Sequence, residues 1–194
     1  MSGKAQKEVL FSGDWVNVIK EQDREYMTRN NCTAIAIIIA VTDDNELLLT
    51  EQFRVPVGGG VLELPAGMVG DEPNMENESA VDAAKRELLE ETGYEALEIK
   101  QVAKGPISSG ISSEVMTFFY ANKVRYVNEG GGTENENITV HKAPIAKIES
   151  YIEEHSHLQL DPKIYIGLHF ARIIINNHLE SDQLESDMIS ADEY

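Results

Sequence analysis

Residues 66–94 read AGMVGDEPNMENESAVDAAKRELLEETGY, and the fold turns on how that stretch is understood. From Ser79 to Glu91 it holds neither Pro nor Gly, while Ala, Leu, Glu, Lys and Arg dominate, so it is predicted to be a helix. Asn77 or Ser79 can cap its start by accepting a backbone N–H. Gly93 sits where a left-handed C-terminal residue is wanted. Glu87, Glu90 and Glu91 fall at i, i+3 and i+4, so their carboxylates share one face and repel unless something neutralises them. Val81, Ala84, Leu88 and Leu89 cover the opposite side and are expected to press into a core. A solvated charged face is the ordinary reading of a Glu-rich helix. Three acidic groups converging just after a Gly-containing loop favour a hard divalent cation instead. Oxygen ligands with retained waters suit magnesium, which typically brings in substrate phosphates.

Outward from the helix, the flanks read as strands. Ala34–Val41 is predicted to be a central strand, Asp43-Asp44-Asn45 a turn, and Glu46–Arg54 a partner strand. Gly58-Gly59-Gly60 reads as a plain flexible loop before a short strand, Val61–Leu64; no helix start follows at the offset a phosphate cradle needs. Further strands are expected at Ala96–Ala103 and Val115–Val124. Upstream, Glu8–Tyr26 alternates around Gly13-Asp14 as a small antiparallel hairpin would, with Trp15, Val16 and Val18 as its buried positions. Trp15 and Tyr26 are also rings that could stack on a nucleobase, with core or dimer packing the default reading. Downstream, Asn128–Asn137 is a mobile, acidic, Gly-rich loop by composition. Pro144–His157 reads as an amphipathic helix. A last helix begins at Asp161-Pro162, runs to about His178, and leaves an acidic tail that is expected to be frayed or disordered.

The chain of 194 residues suits one domain with a sizeable core. Its net charge of −18 argues against a nucleic-acid partner and means that an anionic substrate needs metal ions or local Arg and Lys. The single Cys32 cannot form an internal disulfide, which with no recognisable signal peptide points to the cytoplasm. No apolar run approaches membrane-spanning length. The His residues show no metal-ligand spacing, and His141 and His169 are read as structural.

The opening stretch resembles the signature of Nudix hydrolases, G-x5-E-x7-R-E-U-x-E-E-x-G-U with U apolar. Glu78, Arg86-Glu87, Leu88, Glu90-Glu91, Gly93 and, as a loose fit, Tyr94 follow it. One departure is that ten residues separate Gly67 from Glu78 where the pattern has five, ahead of the helix register. Three further segments are similar to the branch that hydrolyses ADP-ribose and other nucleoside diphosphate sugars. They are Glu51-Gln52-Phe53-Arg54-Val55-Pro56 with Glu63-Leu64-Pro65-Ala66-Gly67, Ser109-Gly110-Ile111-Ser112-Ser113-Glu114, and Thr133–His141.

The resemblance implies an α/β fold, a Nudix α/β/α sandwich with a mixed sheet and an N-terminal antiparallel hairpin. Residues 1–30 would be that hairpin, which in the branch helps form a homodimer; 31–180 the hydrolase domain; 181–194 the acidic tail. It implies cleavage of the diphosphate to a nucleoside monophosphate and a sugar phosphate, with magnesium or manganese. The metal ligands implied are Glu87 and Glu91 first, with Glu90, the Ala66 carbonyl and Glu136. Glu134 falls at the general-base position; the alternative is that Glu134 and Glu136 are merely solvated. Arg54 is implied as a diphosphate contact, against an ordinary ion pair. Glu114, Ser112 and Gly110 are implied on the substrate side, against a solvated loop. Arg86 is expected to pair with Glu78 or Glu90 and orient them. Competing readings are a ligand-binding regulator, a dimeric interaction module, and a hydrolase of other dinucleotides or nucleoside diphosphates.

Overall fold

Strand β4, Ala34–Ala40, is apolar at every position, and the alternation of a strand sends successive side chains to opposite faces. Ile37 and Ile39 enter one core with Leu47, Leu49, Leu62, Ile148, Ile164 and Leu168. Ala36, Ile38 and Ala40 enter another with Leu48, Ala83, Ala84 and Leu88. Three of the four β4 residues on that second face, Ala34, Ala36 and Ala40, are alanines, which lets a helix approach closely. A strand buried on both faces must lie at the centre of a sandwich.

The computed structural model describes residues 7–71, 74–133 and 136–191, with 178–191 described by backbone path alone. The strands are β1 (Lys7–Ser12), β2 (Val16–Glu21), β3 (Arg24–Arg29), β4, β5 (Glu46–Arg54), β6 (Gly59–Glu63), β7 (Ala66–Val69), β8 (Tyr94–Pro106), β9 (Val115–Tyr126), β10 (Thr139–Pro144) and β11 (Gln159–Leu160). The helices are α1 (Ala80–Thr92), α2 (Ile148–Glu154) and α3 (Lys163–Ala191). One mixed sheet has the order β7-β4-β9-β8, with β4 and β9 parallel. A second has the order β10-β5-β6-β11, with β11 parallel to β6. Helix α1 covers the alanine face, and α2 and α3 cover the other. This is the expected α/β/α sandwich. Among the described residues no helix is long and apolar enough to cross a membrane.

Several expectations need correction. The N-terminal hairpin is a three-stranded antiparallel sheet, β1-β2-β3, because Gln22 takes a left-handed φ of 56° and turns the chain back without a glycine. Trp15 is 69% exposed, since it lies on the turn between β1 and β2; Ile19 is the buried residue there. Gly59 and Gly60 are strand, not loop: they pair with Arg54 and Phe53 across a tight connection. The helix expected over Pro144–His157 is only α2, because Pro144 ends the strand paired with β5, residues 145–147 form a 3-10 turn, and the chain turns away after Glu154. The last helix continues past His178 to Ala191, where fraying was expected.

Candidate active site

Helix α1 is fixed at both ends as its sequence suggests. Ser79 is the cap, its Oγ accepting from Asp82 N at 3.2 Å, and Gly93 ends the helix in the left-handed region at φ 74°. Val127 N and Asn128 N then donate to the Gly93 carbonyl, at 2.8 and 3.2 Å.

Arg86 organises the acidic face. Its Nε and Nη2 donate to the two oxygens of Glu78, both at 3.0 Å. Its Nη1 donates to Glu87 at 2.8 Å and to Glu90 at 3.2 Å, and Nη2 also reaches the Met68 carbonyl at 3.3 Å. The bonds from Arg86 hold the Glu78 carboxyl below the usual carboxylate range, and Glu78 in turn raises the guanidinium. The expected pairing with Glu78 or Glu90 is thus a clamp on both, and it includes Glu87.

Strand β7 lies antiparallel to β4, with Ala66 opposite Ile37 and Gly67 opposite Ala36, and this register brings residues 66 and 67 under α1. Glu91 is 3% exposed and accepts from Ala66 N at 3.1 Å. Burial pushes its carboxyl well above the ordinary range, and the charges of Glu87, Glu136 and Glu63 push the same way. Burial likewise raises Glu87 to about 7, against the opposing pull of Arg86. Glu87 packs against bare backbone, since a β-carbon on Gly67 would stand 1.8 Å from its Cδ.

These groups line a cavity of about 370 Å³. Its lining brings the carboxylates of Glu87, Glu91, Glu136, Glu63 and Asp71 together with the cations Arg29, Arg54 and Lys163. Arg54 is fixed by Glu63, Nε to Oε1 at 2.8 Å, and burial raises the Glu63 carboxyl in spite of that bond. Of the implied site residues, Ala66, Glu87, Glu91, Arg54 and Glu136 meet in this cavity. Glu90 stands beside it on Arg86. Glu134 lies outside the described residues. Glu114, Ser112 and Gly110 do not line it: Glu114 holds Arg29, Nε to Oε1 at 2.5 Å, and Ser112 Oγ donates to Glu114 at 3.2 Å. Met27 N donates to the Ile111 carbonyl at 2.8 Å, so this loop ties the N-terminal sheet to the core.

The Gly-rich loop is anchored at its start. Gly131 N and Gly132 N donate to the carbonyls of Glu91 and Glu90, at 2.9 and 3.0 Å, satisfying groups that a helix end leaves open. Glu136 accepts from Thr133 N at 3.0 Å. Sequence reasoning missed Arg29 and Lys163. Lys163 opens the last helix beside the expected Asp161-Pro162 start, but nothing local says that its side chain enters a cavity. Glu63 and Asp71 were also given no role, although Glu63 stands in the quoted flanking segment.

Among the described residues no three acidic or imidazole side chains are drawn together closely enough to hold a metal ion as they stand. The donor chemistry nonetheless fits a hard divalent cation. Glu87 and Glu91 are like-charged oxygen donors on one helix face, Glu91 buried and Glu87 half-buried, and a hard cation between them would offset the repulsion and desolvation that raise both carboxyls.

Residues 33–159 match the NUDIX domain family. An ADP-ribose pyrophosphatase of Bacillus subtilis is 30% identical over 134 residues, 63% of this chain and 67% of that protein. A GDP-mannose pyrophosphatase of Escherichia coli K12 is 31% identical over 140 residues, 67% of this chain and 68% of that protein. A methanol dehydrogenase activator of Bacillus methanolicus is 29% identical over 120 residues, spanning 61% of that relative. Among solved structures, an ADP compounds hydrolase superposes with a TM-score of 0.67 over 89% of this chain and 93% of that one, at 20% identity, a likeness of fold.

Proposed function

Because the chain belongs to the NUDIX domain family and is a Nudix hydrolase, we propose that it cleaves the diphosphate of nucleoside diphosphate sugars such as ADP-ribose. The products are a nucleoside monophosphate and a sugar phosphate. One observation carries this reading: a single cavity is lined both by two carboxylates of one helix, the half-buried Glu87 and the buried Glu91, and by the cations Arg29, Arg54 and Lys163. Such a cavity offers carboxylates to a divalent cation and fixed positive charge to a doubly charged diphosphate. The pyrophosphatase relatives supply the substrate class.

In this reading Glu87 and Glu91, with Glu90, Glu136 and the Ala66 carbonyl, would hold magnesium or manganese. When bound, the ion neutralises phosphoryl charge and lowers the pKa of a bound water. Arg54, steadied by Glu63, and Lys163 orient the diphosphate. Arg29 does the same under the hold of Glu114, while Ser112 and Gly110 keep a substrate-side role by resemblance alone. Glu134 takes the proton from the attacking water, because carboxylates committed to a cation are poor proton acceptors. The protein acts as a cytoplasmic homodimer, a state that the exposed Val9, Phe11 and Trp15 of the N-terminal sheet would favour.

The test is a product assay over a panel of nucleoside diphosphate sugars, dinucleotides and nucleoside diphosphates, with magnesium or manganese. Glu91→Gln is expected to lower kcat by several orders of magnitude with the fold intact. Glu134→Gln should lose about 10²–10⁴-fold while metal and substrate still bind. Glu136→Gln should weaken the metal dependence instead. Wild-type turnover in Glu91→Gln at saturating metal removes the metal role; normal turnover in Glu134→Gln moves the base elsewhere.

A further inference from the structure

A second cavity, of about 590 Å³, adjoins the first and shares Gln52 and Glu136 with it. That size falls within the range of about 300–1,000 Å³ typical of small-molecule sites. Strand β5 runs between the two cavities, and Gln52 borders both. Gln52 and Arg54 share one face of the strand with the catalytic cavity, while Glu51 and Phe53 share the other. Gly60, opposite Phe53 on β6, contributes no side chain, and Asn137, Thr139 and His157 form the rim.

Glu51, which lines this cavity, is held by a chain of side chains outside it. Glu51 Oε2 is 2.9 Å from His141 Nε2, and His141 Nδ1 is 2.8 Å from the Tyr151 hydroxyl. The Tyr151 ring stacks on His155 with centroids 4.3 Å apart. One carboxylate oxygen is therefore committed to His141. The other, Oε1, lies on the side of Gly60, 3.9 Å from where a β-carbon on that residue would be. Phe53 is 65% exposed beside it.

We propose that this second cavity is the subsite for the glycosyl half of the substrate. The inference rests on the reading of the chain as a nucleoside diphosphate sugar hydrolase. The sugar lies with its C–H face on Phe53 and donates a hydroxyl to Glu51 Oε1, and Asn137 and Thr139 meet its remaining hydroxyls. The diphosphate passes Gln52 and Glu136 into the catalytic cavity. An ionised carboxylate is acceptor-only, which suits a hydroxyl donor. A guanine edge, the other partner of a carboxylate beside a ring, takes both oxygens at once, and here His141 already holds one.

The experiment is steady-state kinetics with product inhibition on Phe53→Ala and Glu51→Gln, each checked by thermal melting. Phe53 is exposed, so Phe53→Ala keeps the fold even if Glu51→Gln disturbs His141. KM for the sugar nucleotide should rise about tenfold with kcat nearly unchanged, as for a contact made equally in ground and transition states. The inhibition constant of the sugar phosphate (ribose 5-phosphate or mannose 1-phosphate) should rise by a similar factor, with that of the nucleoside monophosphate unmoved. A rise for the monophosphate alone assigns the cavity to the nucleoside and overturns the proposal. So does no change in either constant. A wild-type protein that hydrolyses no sugar nucleotide removes the underlying reading as well, whereas an active wild type with unaltered variants removes only this subsite.

Discussion

Gly67 has a requirement that no larger residue meets, because a β-carbon there would occupy the space of the Glu87 carboxylate. Gly67→Ala must therefore push Glu87 off β7. The expected outcome is a large loss of metal affinity and kcat with a modest change in melting temperature, read by metal titration and activity assay. Glu87 also makes a prediction about pH. Burial raises its carboxyl from the ordinary 4.5 to about 7, so between those values the folded, metal-free protein binds more protons than the unfolded chain. Stability contributed by this group is then present at the acid end of that window and falls as pH rises through it. Glu91 is raised by burial too and acts with the same sign. Glu78 is depressed by Arg86, so its contribution is complete above the ordinary carboxylate range and is lost only below the window. Melting curves in chelator should flatten across this range in Glu87→Gln; an unchanged slope in that variant would falsify the assignment. Added magnesium should reverse the wild-type trend, because a cation favours the ionised carboxylates.

Helix α1 is the element on which the site depends, and Arg86 is its keystone. Removing that cation leaves Glu78, Glu87 and Glu90 facing one another with their charges uncompensated. Breaking a buried pair from one side costs about 3–5 kcal/mol. Arg86→Gln should approach the lower end of that range in a urea melt, since the guanidinium is 15% exposed. It should also lower kcat, because Glu87 loses the bond that directs it. A variant with wild-type stability would show that the clamp is dispensable. The Gly-rich loop belongs to the same scale. Its amides close the open carbonyls of Glu90 and Glu91, so the loop starts from the end of the helix that carries Glu87, Glu90 and Glu91.

At the scale of the whole molecule, the three-stranded N-terminal sheet leaves Val9, Leu10, Phe11 and Trp15 open to solvent. Apolar side chains of that size on neighbouring positions fit an interface better than a free surface. Sedimentation of the full chain at micromolar concentration should give a dimer, and Phe11→Glu should shift it toward monomer; a wild-type monomer would count against the assembly.

The sequence by itself determined the helix that carries the chemistry, both of its ends and the face its carboxylates share. It determined the central strand and its partner β5. Those are properties of spacing along a few turns or a few strand positions, where neighbours in sequence are neighbours in space. Tertiary structure alone decided that Arg29 from the third strand and Lys163 from the last helix share a cavity with Glu91. It also decided that Gly59 and Gly60 pair as strand, and that Glu51 meets His141. Each of these joins residues distant in the chain through a register that pairing of whole strands selects, so no local pattern announces it. Trp15 shows the converse: its apolar ring was a fair sign of burial, but the turn on which it sits faces outward, and only the folded sheet fixes which way a turn faces.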